Sequence, residues 1–210
     1  MESLPFTLPY FAGAYLIGSL SFAVIVSKLM GLPDPRSFGS GNPGATNMLR
    51  TGKKTAAVLT LLGDFSKGYV AVKLAEYIGA HYGLNPAAIY AACLGVFIGH
   101  LFPLYFGFNG GKGVATALGI LFALHPMLGL GCLATWLVVF ALSRISSLSA
   151  LAAAAAAPVY AYVLLNDYGA VGILSVLVGL LFWRHRGNIR RLLSGEEGGF
   201  AKPTGISKKE

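Results

Sequence analysis

Seven apolar runs, parted by short polar breaks, constrain this chain more than anything else in it. They cover residues 8–30, 55–80, 87–106, 114–124, 127–142, 150–165 and 170–183. A helix of about 20 apolar residues crosses the ~30 Å hydrocarbon core of a bilayer. Inside that core every backbone N–H and C=O needs an internal partner, and a helix supplies one. Of 210 residues, 55% are hydrophobic and 11% charged, under half the ~25% charged fraction of soluble domains. The expected fold is all-α: a polytopic integral membrane helical bundle of seven transmembrane segments, forming a single domain over residues 1–210.

Two runs are irregular. Residues 114–124 make only about 11 helical positions, too short for an upright span, so a half-span or a tilted helix is expected. The second run carries Asp64 and Lys67, three apart and so on one helix face. Charges at that depth face protein or water, either as a structural ion pair or as part of a site. Cys93 and Cys132 lie in apolar runs and read as packing residues.

The net charge of +8 is explained by topology before nucleic acid. Residues before the first run include Glu2 and no Lys or Arg, the reverse of a signal peptide's charge order. The first run therefore reads as a retained span with the N-terminus outside. Seven spans then put the C-terminus in the cytoplasm, with inside loops at 31–54, 107–113, 143–149 and from 184 onward. Of the 16 Lys and Arg, Lys67 and Lys73 sit within the second run, and the other 14 fall in or beside those inside loops. The last ten residues are polar and are expected to lie loose of the bundle.

That topology brings four polar stretches to one face. The first, Gly39-Ser40-Gly41-Asn42-Pro43-Gly44-Ala45-Thr46-Asn47, is closed by Arg50. The second is Asn109-Gly110-Gly111-Lys112-Gly113, directly before a helical run. The third holds Ser146, Ser147 and Ser149; the fourth holds His185 and Asn188. Glycine lets backbone N–H groups curl around an anion, and a following helix N-terminus adds its dipole. These are phosphate-binding parts, with Ser40, Asn42, Thr46, Asn47 and Arg50 around one set of glycines and Lys112 beside the other. Blander readings exist for each. Membrane glycines serve packing, Lys53, Lys54 and Arg190 serve topology, a His at a span end is interfacial, and the serines cap the sixth helix. The coincidence of four such stretches on one face favours a site, because spare polar groups are costly at a membrane.

Several chemistries are missing. Lys112 is followed by Gly113 rather than Ser or Thr, so the second stretch is no Walker A loop. No Cys/His/carboxylate cluster has metal-ligand spacing, and no inside loop pairs two carboxylates. None of the four histidines is followed five residues later by Asp, so a His-x4-Asp acyltransferase dyad is absent. The residues alone point to a cytoplasmic-face site for phosphorylated ligands, without metal or cofactor. A transporter for a phosphorylated metabolite is the rival: the short fourth run suits it, and the absence of an internal repeat and of polar outside loops speaks against it.

These motifs, together with Phe108-Asn109-Gly110-Gly111-Lys112-Gly113-Val114-Ala115-Thr116, Ser147-Leu148 and His185-Arg186-Gly187-Asn188-Ile189-Arg190, closely resemble the bacterial acyl-phosphate:glycerol-3-phosphate acyltransferase (PlsY) family over nearly the whole chain. The resemblance implies an inner-membrane enzyme with a cytoplasmic active site. It implies transfer of a fatty acyl group from acyl phosphate to the 1-hydroxyl of sn-glycerol 3-phosphate, giving lysophosphatidic acid and inorganic phosphate. It assigns Ser40, Arg50, Lys112, Ser147, His185 and Asn188 to the active site, with Asn42, Gly44, Thr46, Asn47, Gly110, Gly111 and Gly113 forming the substrate-binding turns. Lys112, Ser147 and His185, with Arg50 nearby, would hold the glycerol 3-phosphate phosphate, and Ser40 with the 42–46 turn the acyl-phosphate head. Asn188 would orient the hydroxyl or steady the carbonyl oxygen. Either His185 or a substrate phosphate takes the proton, and which of the three serines makes contact stays open. The tail feature Gly195-Glu196-Glu197 would be structural.

Overall fold

The computed structural model describes residues 4–82 and 86–198. Among these, every regular element is helical: α1 (Leu4–Gly18), α2 (Phe22–Leu29), α3 (Ala45–Met48), α4 (Lys54–Tyr82), α5 (Ala87–Leu101), α6 (Val114–Leu124), α7 (Pro126–Ser143), α8 (Ser146–Leu165), α9 (Tyr168–Arg184) and α10 (Arg186–Leu193). Two 3₁₀ turns, Leu49–Thr51 and Leu104–Phe106, lie in the polar stretches. Part of the turn expected over 81–86, and the last ten residues, lie outside the described residues.

By length and composition, Thr7–Leu29, Ala87–Phe106, Pro126–Ser143 and Ser146–Leu165 suffice to cross a bilayer. The pair α9 and α10, bent by 64°, makes a fifth if it is one span. The two irregular runs behave as their sequences suggest. α6 is an 11-residue helix, and α4 is long, with Asp64 and Lys67 paired at 2.7 Å and almost wholly buried.

The first run departs from the continuous helix expected of it. It is two helices, broken at Ser19-Leu20-Ser21. The Ser19 amide and hydroxyl both donate to Tyr15 O, at 2.9 and 2.8 Å. The break frees the Leu20 carbonyl, and the Lys67 ammonium of α4 donates to it at 2.7 Å. A freed carbonyl in an apolar setting needs such a partner. Because the partner comes from another helix, the break is invisible to a run-by-run reading.

Glycines set the tightest helix contacts. A Cβ on Gly95 would lie 2.3 Å from Phe11 O, and one on Gly99 2.3 Å from Tyr15 O, so α1 rests backbone to backbone on α5. Gly68 and Gly119 do the same for α4 and α6. Small residues permit this approach, which is a main source of packing energy where lipid is the solvent. Val72, Val96, Phe97, Leu101, Ile120 and Leu128 fill the centre. Leu137, Val138, Leu142, Val159 and Val163 of α7 and α8 face outward. At one end of the bundle the Tyr90 hydroxyl donates to Asp167, which also caps α9 by accepting from the Gly169 and Ala170 amides at 2.8 and 3.2 Å. The four polar stretches gather at the other end.

Candidate active site

The first polar stretch is folded around Asn47, which is 1% exposed. Its Oδ1 accepts from the Ser40 amide at 3.0 Å and from Arg50 Nη1 at 3.1 Å. Its Nδ2 donates to Pro35 O at 2.7 Å and Phe38 O at 3.2 Å. Both ends of this amide are used inside the loop, so Asn47 shapes the turn that carries Ser40 and aims Arg50. Gly39 is required beside it: its φ is +59°, and a Cβ would lie 2.3 Å from Asn47 Oδ1 and 2.9 Å from Arg50 Nη1. Asn42 and Gly44 close the turn through a Gly44 N–H to Asn42 O bond at 2.9 Å. Thr46 is exposed, and its hydroxyl lies 3.4 Å from that of Ser146 at the start of α8.

The second stretch is clamped from two sides. The Gly111 amide donates to His100 O at 3.1 Å. Arg184, at the end of α9, donates to Gly110 O at 2.7 Å and Gly111 O at 3.1 Å. With its carbonyls held, the loop presents Lys112 from a buried backbone. Gly113, at φ +88°, packs on the Phe97 ring and starts α6, which has no side-chain cap. Arg36 joins the first stretch to the second: it is paired with Asp34 at 2.7 Å and donates to Phe106 O at 3.0 Å. Neither Arg36 nor Arg184 was singled out from the sequence, where each reads as a topological cation.

The third and fourth stretches meet Lys112. Its Nζ donates to Asn188 Oδ1 at 2.6 Å. Asn188 Nδ2 and the Ser147 hydroxyl donate to Glu197 Oε1 at 2.5 and 2.6 Å, and Arg191 Nε donates to Glu197 Oε2 at 2.6 Å. The three serines have different partners. Ser149 is buried and bonded back to Ile145 O at 2.8 Å, Ser146 faces Thr46, and Ser147 enters the cluster. Glu197 is a site neighbour that sequence reading placed in a structural tail. Gly195, at φ +72°, reverses the chain after α10, and the Glu196 and Glu197 amides bond Arg191 O at 2.8 and 3.0 Å. That turn has its structural part and also delivers the carboxylate.

Electrostatics follow from this packing. Burial lowers Lys112 to about 8, against the opposing pull of Glu197. Burial pushes Glu197 upward, but hydrogen bonds from Ser147, Asn188 and Arg191 outweigh it and hold the carboxyl below its usual range. His185, beyond the end of α9, is lowered to about 4 by burial. Its Nδ1 lies 2.8 Å from Leu181 O, so the neutral ring carries its proton there and leaves Nε2 with the lone pair. Lys112, Ser147, His185 and Asn188 thus come together, with Ser40 and Arg50 on the adjoining loop. Among the described residues no group of His, Cys, Asp and Glu has the makings of a metal site.

A glycerol-3-phosphate acyltransferase family model matches residues 8–195. The chain belongs to this family. The glycerol-3-phosphate acyltransferase of Thiobacillus denitrificans is 60% identical over 189 residues, covering 90% of this chain and 94% of the relative. That of Cupriavidus necator is 58% identical over 201 residues, covering 94% and 96%. Among solved structures, the fold is similar to that of PlsY, an integral membrane glycerol 3-phosphate acyltransferase, in its glycerol 3-phosphate form. The TM-score is 0.86 at 37% identity, over 93% of this chain and 96% of that one. The lysophosphatidic acid form of PlsY gives a TM-score of 0.84 at 36% identity. The present chain is accordingly an all-helical integral membrane enzyme of the glycerol-3-phosphate acyltransferase family.

Proposed function

We propose that this enzyme transfers a fatty acyl group from acyl phosphate to the 1-hydroxyl of sn-glycerol 3-phosphate, releasing lysophosphatidic acid and inorganic phosphate. One observation carries the reading. The donors of Ser147, Asn188 and Arg191 already converge on an anion, the Glu197 carboxylate, beside the Lys112 ammonium. A substrate phosphate would take the same donors in competition with that carboxylate. The family membership and the likeness to PlsY support glycerol 3-phosphate as its bearer.

In this reading Lys112 and Ser147, with Arg50 nearby, hold the glycerol 3-phosphate phosphate, and His185, neutral with its Nε2 lone pair free, accepts from a glycerol hydroxyl. Ser40 and the 42–46 turn hold the acyl-phosphate head, and the Gly110–Gly113 backbone completes the cradle. α6 and α8 begin at this end without side-chain caps, so their first N–H groups are open to an anion. The 1-hydroxyl attacks the acyl carbonyl carbon, the bond from that carbon to the bridging oxygen breaks, and phosphate leaves with the oxygen. Acyl phosphate is already activated, so no protein nucleophile is needed. A ring whose conjugate acid sits near 4 is a poor base at neutral pH, so the hydroxyl proton passes to a substrate phosphate, and His185 orients. Asn188 steadies the developing oxyanion. Ala117, Leu121, Ala154, Ala157, Leu177 and Leu181 line an apolar groove between α6, α8 and α9, which suits a hydrocarbon chain.

The site faces the cytoplasm of a bacterial inner membrane. The reading takes seven crossings (α1 with α2 as one, then α4 to α9), and the cations gathered near the site support it. The test is purified protein in lipid with palmitoyl phosphate and glycerol 3-phosphate. Lysophosphatidic acid and phosphate should appear one to one; failure to release phosphate would refute the reading, and equal turnover of palmitoyl-CoA would refute the donor.

A further inference from the structure

Directly behind the Gly110–Lys112 loop lies a polar cluster that the reaction does not use. Asp64 and Lys67 of α4, His100 of α5 and Thr116 of α6 are each at most 7% exposed. Lys67 Nζ is 2.7 Å from Asp64 Oδ1 and donates to Leu20 O, also at 2.7 Å. The Thr116 hydroxyl donates to Asp64 O at 3.0 Å and lies 3.1 Å from His100 Nδ1. That hydroxyl has one proton, already given to Asp64 O, so it accepts from Nδ1–H. Asp64 Oδ1, 3.6 Å from Nδ1, is a second acceptor on the same side. His100 is thus fixed as the tautomer with Nδ1 protonated, and its Nε2 edge turns toward Gly111.

The seat this makes for Gly111 is close. A Cβ on Gly111 would lie 2.2 Å from His100 Nε2 and 3.1 Å from Pro43 O. The His100 carbonyl accepts the Gly111 amide at 3.1 Å. The ring therefore stands at the point where the first polar stretch, through Pro43, meets the second, through Gly111. At its other end the cluster caps the break between α1 and α2, which sets where α2 and the loop after it begin.

We infer that Asp64, Lys67, His100 and Thr116 form a positioning device, which holds the Pro43 turn and the Gly111–Lys112 loop at the separation two substrates need. All four are buried behind the loop and lie outside the proposed substrate-holding set. Their charges cancel as a buried pair, and what they supply is a fixed ring orientation beneath Gly111. A loop whose lysine is misplaced by about 1 Å loses on the order of 100-fold in efficiency, while a bulk loss of folded protein lowers kcat alone.

The inference rests on the proposed reaction only through the assay. His100→Leu keeps the bulk and removes both nitrogens. It should raise KM for glycerol 3-phosphate about tenfold or more, leave KM for acyl phosphate within about twofold, and speed amide exchange across residues 109–113. His100→Asn restores a polar atom at the Nδ1 position and should return KM to within about threefold of wild type. Unchanged KM and exchange in the Leu variant, or a loss confined to kcat, would overturn the inference. If the Leu variant does not fold, Thr116→Val decides in the same way: a raised KM for glycerol 3-phosphate supports the device, an unchanged one removes it. Wild-type protein without turnover would defeat the proposed reaction, and exchange at 109–113 in the variants would then decide the cluster on its own.

Discussion

At Lys112 burial and charge oppose each other. Burial holds its ammonium at about 8, with Glu197 lifting it and Arg191, Arg184 and Arg50 lowering it. The cation is present below that pH and is lost as pH rises through it. The free enzyme's kcat/KM for glycerol 3-phosphate should therefore fall above about pH 8, measured as an initial-rate profile. Glu197→Gln removes the anion that stabilises the ammonium, so the alkaline limb should move to lower pH; a limb unmoved by this change would uncouple the two groups. Lys112→Ala should reduce kcat/KM by about 100-fold or more, because a charge-assisted phosphate contact is lost where water is scarce. At this scale the sequence disclosed residue types well. Lys112, Ser147, His185 and Asn188 do meet. Glu197, Arg36 and Arg184 were missed as site neighbours because their roles depend on a chain reversal at Gly195 and on carbonyls presented by other loops, neither of which has a local pattern.

At the scale of elements, close helix contacts replace side-chain interdigitation at two interfaces. Gly119 is the sharpest case: a Cβ there would lie 2.1 Å from the Phe65 carbonyl oxygen, which is backbone and cannot swing aside. Gly119→Val should separate α4 from α6, costing about 1–3 kcal/mol as overpacking does, and lower the thermal midpoint in detergent. Gly172→Ala meets open space and should leave that midpoint unchanged. Helix existence was legible from run length and from glycine and proline punctuation, including the short α6 and the long, charged α4. The break between α1 and α2 was not. Residues 8–30 are apolar throughout enough to read as one helix, and only Lys67, 47 positions away, makes an unpaired Leu20 carbonyl tolerable.

For the whole molecule, the arrangement of polar groups is lopsided. One end holds most of the cations, the glycine loops and Glu197; towards the other lie the Tyr90–Asp167 contact and the Lys73–Glu76 pair. The proposed topology, with the N-terminal run entering from the far side, fits that asymmetry and requires an odd number of crossings. Tyr168→Cys at the far end and Ser194→Cys after α10 should label oppositely with a membrane-impermeant thiol reagent, Tyr168→Cys from the periplasmic side only. In the proposed reaction the first and second polar stretches serve one site, so both substrates should be bound before the acyl group moves. Initial rates measured while varying acyl phosphate and glycerol 3-phosphate together test this most directly. Direct transfer between two bound substrates predicts intersecting double-reciprocal lines and no phosphate release without glycerol 3-phosphate; parallel lines, with phosphate released before the acceptor is added, would contradict it.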